Sequence, residues 1–276
     1  MPSAKQANLL KARYAGLCAA LAALICLALS FPTQAQRLSG ERSLSNTKWG
    51  YQIVRDTTRA GRRAQRFEVR PGDCYRNEGW NDCTTDRERS EIRLKKSWRY
   101  GTVQWIGFSV FLPPDFQTSA RVNTTVGQIH QKGGPSGTAR GLPSFPPLVQ
   151  LEMRGNSYRA GIHILTGSAT NVRDDVRYLD LARIDQMRGR WTDVALHLDT
   201  RNGAQLFEVY IDGIRRAQIR DFINFVPKDF RFKYGIYRSF VSKHGGPMPT
   251  QILYIDEVRM GRSGAAVVVN EKRPVD

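Results

Sequence analysis

At 276 residues the chain is long enough for one large β domain or two small ones. Its 42 Lys and Arg outweigh 25 Asp and Glu, a formal net charge of +17, which suits a polyanionic partner. No nucleic-acid recognition motif accompanies that charge, so nucleic acid is not expected; acidic polysaccharides and anionic surfaces are the polyanions left, and charge alone does not choose between them.

Lys5, Lys11 and Arg13 flank an apolar run from Leu17 to Phe31, and Thr33-Gln34-Ala35 supplies the small residues that a signal peptidase reads. The run is shorter than the roughly 20 residues that span a bilayer. Residues 1–35 are therefore expected to be a secretory signal peptide. Residues 36–276 then form a single periplasmic or secreted domain with no membrane attachment. The signal holds three basic and no acidic residues, so the remainder carries +14. Cys18 and Cys26 leave with the signal. Cys74 and Cys83 remain, and in an oxidising compartment this pair is expected to form a disulfide. No Cys or His lies beside them at metal-ligand spacing. The bond would clamp the loop leading into Arg89.

Residues 36–47 read as a polar leader. From Trp49 onward the pattern is strand, turn, strand. Arg89-Ser90-Glu91-Ile92-Arg93 alternates so that Arg89, Glu91 and Arg93 share one face. Val103 to Leu112 alternates and stops at Pro113-Pro114. Gln128-Ile129-His130 puts Gln128 and His130 on one face. It leads into a Gly/Pro/Ser-rich loop between Gln131 and Pro147, placed to act as a lid or substrate clamp. Strands follow at Leu148–Arg154 and Tyr158–Leu165. Asn171–Met187 reads as a short helix or a loop. Trp191–Asp199 and Leu206–Ile211 are strands, the latter ending at the tight-turn pair Asp212-Gly213. Lys233, Gly235 and Tyr237 share a face of the next strand, Gln251–Met260 is the last, and 264–276 reads as a loose tail. Many short strands and no long amphipathic helix predict an all-β fold of two sheets, a β-sandwich or jelly roll.

Arg, an amide, His and Tyr on one polar sheet face suit removal of a proton from a carbon beside a carboxylate. In a uronate polymer the C5 hydrogen sits there. Arg89 and Gln128 are expected to neutralise the carboxylate, His130 to act as base or partner in neutralisation, and Tyr237 as acid and for one stereochemistry also as base. Lys233 and Arg89 are expected to lower the Tyr237 pKa. Gly235 would leave the face bare for a sugar ring. Glu91 would orient an arginine, Arg93 would contact a subsite, and Trp80 and His244 would line the groove. His163 and His197 are read as packed or surface residues, and Trp98, Trp105 and Trp191 as core.

These three segments, with Phe232 added before Lys233, resemble the three motifs of jelly-roll alginate lyases. They also resemble heparin lyase I-like and glucuronan lyase relatives, and Cys74 to Arg93 is most similar to the heparin lyase I-like group. The resemblance runs from about Trp49 to Met260. It implies a β-jelly roll with a concave substrate groove and a polysaccharide lyase acting by β-elimination, with Arg89, Gln128, His130 and Tyr237 at the active positions in that groove. Tyr234 stands where the alginate lyases usually carry Ala, and they carry a Gln near the position of Ser239, departures that bear on the polymer more than on the reaction. No cofactor is required. Some of the resembled enzymes hold a structural calcium, for which Asp174-Asp175 could supply oxygens. A monomer is expected. The alternatives are a sandwich-fold glycoside hydrolase, which needs two carboxylates across the scissile bond, and a non-catalytic acidic-glycan-binding module.

Overall fold

The computed structural model describes residues 38–44, 46–78, 80–135, 146–168 and 171–275. The expected signal peptide and most of the Gly/Pro loop, 136–145, lie outside them. In chain order the strands are β1 (Gly40–Arg42), β2 (Tyr51–Val54), β3 (Ala64–Val69), β4 (Arg76–Asn77), β5 (Trp80–Asn81), β6 (Arg87–Arg99), β7 (Val103–Phe111) and β8 (Asn123–Pro135). They continue with β9 (Pro147–Arg154), β10 (Ser157–Ser168), β11 (Asn171–Arg183), β12 (Trp191–Asp199), β13 (Leu206–Ile211), β14 (Ile214–Arg220), β15 (Pro227–Ser239) and β16 (Gln251–Gly261).

Two seven-stranded sheets form, in the orders β1-β6-β15-β8-β9-β10-β11 and β14-β13-β12-β7-β16-β3-β2. Among the described residues the strands within each sheet pair antiparallel, and no α-helix occurs. The expected all-β sandwich is therefore present. The first sheet carries the three motifs and is called the site sheet; the second backs it.

Alternation explains the layering. Every second residue of β12 is buried, and Val194 and Leu196 pair with Phe108 and Ile106 of β7. From the site sheet Ile92, Leu94, Ile129, Phe232, Tyr234 and Ile236 join the same buried core. Phe108 and Phe232 meet across the layers with ring centroids 5.7 Å apart. The β13–β14 hairpin turns at Asp212 and Gly213, both with positive φ, 50° and 78°, as a two-residue primed turn requires.

Three sequence expectations change. Asn171–Arg183 is a strand, not a helix or loop: it pairs with β10 along its length, and its charges stay wet because it is the sheet's last strand. The leader contributes β1, paired with Ile92–Leu94, and Ser43 bonds Glu91 through both backbone groups. The tail packs onto the backing sheet: Val267 is buried, and a Cβ at Gly107 would lie 2.4 Å from its carbonyl oxygen.

Gly235 also has a different reason from the expected one. Its φ is +130°, and an added Cβ would lie 2.4 Å from the Ser90 carbonyl oxygen and 2.9 Å from the Phe67 ring. The crowding is within the sheet and towards the core, so the backbone demands this glycine whatever lies above it. Gly235→Ala is expected to destabilise the fold by about 2 kcal/mol or more, measured as a lowered midpoint in denaturant unfolding.

Candidate active site

Register places the motifs side by side. Tyr237 of β15 faces Arg89 of β6, and Lys233 faces Arg93. On the other flank of β15, Lys233 faces Gln128 and Arg231 faces His130 of β8. One row of register partners thus runs Glu41, Arg93, Lys233, Gln128, Gln150, Gly161, Tyr178, crossing the whole sheet. Irregularities in the β15–β8 pairing between Tyr234 and Tyr237 let Val126 and Gly127 both turn inward: Val126 is fully buried, and a Cβ on Gly127 would touch Leu151, Phe232 and Phe108. Gln128 then returns to the motif face.

Arg89 is the hub. Its Nε and Nη2 donate to Asp82 Oδ2 at 2.5 Å and Oδ1 at 2.6 Å, and Nη1 donates to Glu91 Oε2 at 3.3 Å. Its guanidinium lies 4.3 Å from the centroid of the Tyr237 ring. Burial disfavours its charge, but Glu91 and Asp82 outweigh that and raise its pKa. Glu91, expected to orient an arginine, also accepts Gln128 Nε2 at 2.5 Å. Arg89 and Gln128 are therefore held by carboxylates rather than standing free. Both keep further N–H groups, since a guanidinium has five and a primary amide two.

Asp82 escaped the sequence reading. It is fully buried, accepts Trp80 Nε1 at 2.6 Å, and adjoins Cys83, which is bonded to Cys74. The one available signal was its place inside the predicted disulfide loop. Arg87 was missed too. Its Nε donates to the Tyr237 hydroxyl at 2.8 Å, and alternation from Arg89 would have put it on the same face.

His130 Nδ1 donates to the Gln131 carbonyl oxygen at 2.6 Å. That assigns the proton to Nδ1 and leaves the lone pair on Nε2. Burial first, then Lys233, Arg89 and Arg93, push its pKa down to about 3, against the pull of the Gln131 carbonyl. The ring is neutral at ordinary pH. If Nε2 is the base, kcat/KM should show no acid limb near the ordinary histidine pKa of about 6.5. The profile should stay flat from neutrality down to about pH 5; initial rates across that range check it, and a limb near the ordinary value would remove His130 from the role.

The expected lowering of the Tyr237 pKa is overturned. Burial raises it, Arg89 and Arg87 oppose, and Glu91 and Asp82 add to the rise. Lys233 is itself pushed down, by burial first, with Arg89 and Arg93 adding to the fall against Glu91 and Asp82. Tyr237 thus rests as a phenol.

The other expected contacts are scattered around this cluster. Trp80 is 45% exposed beside Asp82. Arg93 pairs with Glu41. His244 bonds Ser119 Oγ through Nδ1 at 2.9 Å, and among the described residues no hydrogen bond or ion pair ties it to the Arg89 cluster. His163 bridges Asp174 and Gln150 Oε1. His197 stacks on Trp105, centroids 4.2 Å apart, both half-buried on the backing sheet rather than in the core. Glu88 and Glu91 lie on opposite faces, Glu88 ion-paired with buried Arg238 beneath the sheet. Among the described residues no three His, Cys, Asp or Glu side chains gather as a metal site.

A polysaccharide lyase family profile matches residues 33–259. The chain belongs to that polysaccharide lyase family. It is a carbon–oxygen lyase acting on polysaccharides. No curated protein sequence matches it. The polysaccharide lyase is similar in fold to an endo-β-1,4-glucuronan lyase from the fungus Trichoderma reesei: TM-score 0.62, 18% identity, 85% of this chain and 96% of that one covered. It is also similar to the alginate lyase AlgAT5 from polysaccharide lyase family 7: TM-score 0.51, 18% identity, 79% and 83% covered. Both likenesses agree with the jelly-roll expectation. No helix among the described residues is long and apolar enough to cross a membrane.

Proposed function

We propose that this lyase is exported and cleaves a uronic-acid-containing polysaccharide by β-elimination at the Arg89 cluster, acting as a monomer. The observation that carries this is the pairing of opposite protonation states on neighbouring strands: a neutral imidazole with its lone pair on Nε2 and a phenol kept protonated. Arg89, Gln128 and Lys233 meet the substrate carboxylate and stabilise the charge that spreads onto it. His130 Nε2 removes the C5 proton. The C5–H electron pair becomes the C4–C5 double bond, the C4–O bond breaks, and O4 takes the Tyr237 proton. Arg93, Trp80 and His244 serve as flanking sugar contacts. The charge compensation comes from side chains, so a metal is not needed for the chemistry; a calcium bound elsewhere for stability is compatible with it.

The likeness to a glucuronan lyase favours polyglucuronate as the polymer. The test is a panel of polyglucuronate, alginate and a heparin-like chain, scored by the absorbance of the unsaturated sugar end. Absorbance growth on at least one uronate polymer is expected. New reducing ends without absorbance would indicate hydrolysis, and binding without either would indicate a glycan-binding module.

A further inference from the structure

We propose that Arg87 is a further catalytic residue, which holds the reacting oxygen of Tyr237 and stabilises the phenolate left when that oxygen gives its proton to the departing sugar. This rests on the assignment of Tyr237 as the acid. After the elimination step the imidazole carries the C5 proton and the phenol has lost its own. Exchange with solvent restores both, and no other reactant is involved.

Arg87 Nε is 2.8 Å from the Tyr237 oxygen, so it touches the atom whose charge changes. An N–H already aimed at that oxygen needs no rearrangement when the negative charge arrives. Arg89 also lies over the ring, but its charge is already engaged by Asp82 and Glu91. Arg87 forms no ion pair with a carboxylate among the described residues. Its other bond is to the neutral Thr85 carbonyl oxygen. Of the two arginines at the phenol, Arg87 is the one whose charge is left for the oxygen.

Its position is built. Arg87 pairs with Ser239, two residues along from the Arg89–Tyr237 pair. Its guanidinium lies 5.7 Å from the Trp80 ring centroid and 4.8 Å from that of Phe240. These rings are 45% and 47% exposed, an apolar collar that a sugar could cover and so dry the bond beneath. Asp86 ties the two sides together: its carbonyl oxygen accepts Phe240 N at 2.8 Å, and its carboxylate accepts Ser242 N at 3.0 Å and Ser242 Oγ at 2.7 Å. Burial raises the Tyr237 pKa, so a phenolate there is costly unless a donor meets it.

Arg87→Met, Tyr237→Phe and the double variant are compared on the uronate polymer that the unaltered enzyme degrades fastest in the panel. Arg87→Met should lower kcat roughly 10- to 100-fold with KM changed less than about two-fold, and move the alkaline limb of the rate profile up by about one pH unit. In the Tyr237→Phe background the same change should cost less than about two-fold. A loss confined to KM, or an equal loss in both backgrounds, would make Arg87 a sugar contact or a structural residue and overturn the proposal. Full turnover by Tyr237→Phe would instead overturn the acid assignment on which it rests. If Arg87→Met fails to fold, Arg87→Lys serves. Its Tyr237 ionisation, read as the ultraviolet titration difference against its own Tyr237→Phe partner, should lie above that of the unaltered protein; an unmoved titration overturns the proposal.

Discussion

Tyr237→Phe is expected to lower turnover by about 10²- to 10⁴-fold, the usual range for a lost general acid or base, while the glycan still binds. The substitution removes one oxygen and leaves the ring, so the stacking with Arg89 at 4.3 Å and the packing of β15 persist. What disappears is the proton for the leaving oxygen and the acceptor for Arg87 Nε. KM should change little, because the phenol matters most once charge builds on the departing oxygen. Two measurements are needed: the rate of unsaturated product formation and the affinity for the intact polymer, by calorimetry. Unchanged turnover would exclude Tyr237 as the acid, whereas loss of binding in parallel with turnover would make it a substrate contact.

Asp82→Ala should have the largest effect on stability. The carboxylate is fully buried and grips Arg89 through two parallel bonds. Its loss leaves the guanidinium, only 11% exposed, with Glu91 as its remaining ion partner. It also strands the Trp80 indole donor. Removing one member of a buried pair costs about 3–5 kcal/mol, which denaturant unfolding should register. Turnover should fall with it, since an arginine freed from this grip no longer holds one position under the substrate. Asp82→Asn keeps the shape and one acceptor, so it should recover part of the stability. Equal stability of the alanine variant and the unaltered protein would show that Glu91 alone suffices.

The sheets were legible because their strands are amphipathic. Trp191–Asp199 and Leu206–Ile211 end where alternation and turn residues say they should, and the three motif strands follow the same rule. Asn171–Arg183 hid because an edge strand with few inward residues has almost no alternation to read; pairing with β10 decides it. The short β1 hid for the same reason. The faces of Arg89, Gln128, His130 and Tyr237 followed from a period of two. Their electrostatics did not. The sign of the Tyr237 shift depends on burial and on Asp82, a loop residue that reaches Arg89 through the folded disulfide loop. Charge counting along the chain found the cations and Glu91 and missed Asp82, the buried carboxylate that holds Arg89.

The row from Glu41 to Tyr178 has a geometric consequence. Adjacent strands of a sheet are spaced about 4.8 Å apart, close to the length that one pyranose adds to a linear glycan. A polymer stretched over this row would pass one strand for nearly every sugar. The backbone ladder would then act as a ruler for the glycan, with side chains writing only the chemistry at each graduation. An extra residue in β9 would shift that strand's mark, Gln150, to the far face, erasing a graduation while leaving Arg89, Gln128, His130 and Tyr237 on their own strands.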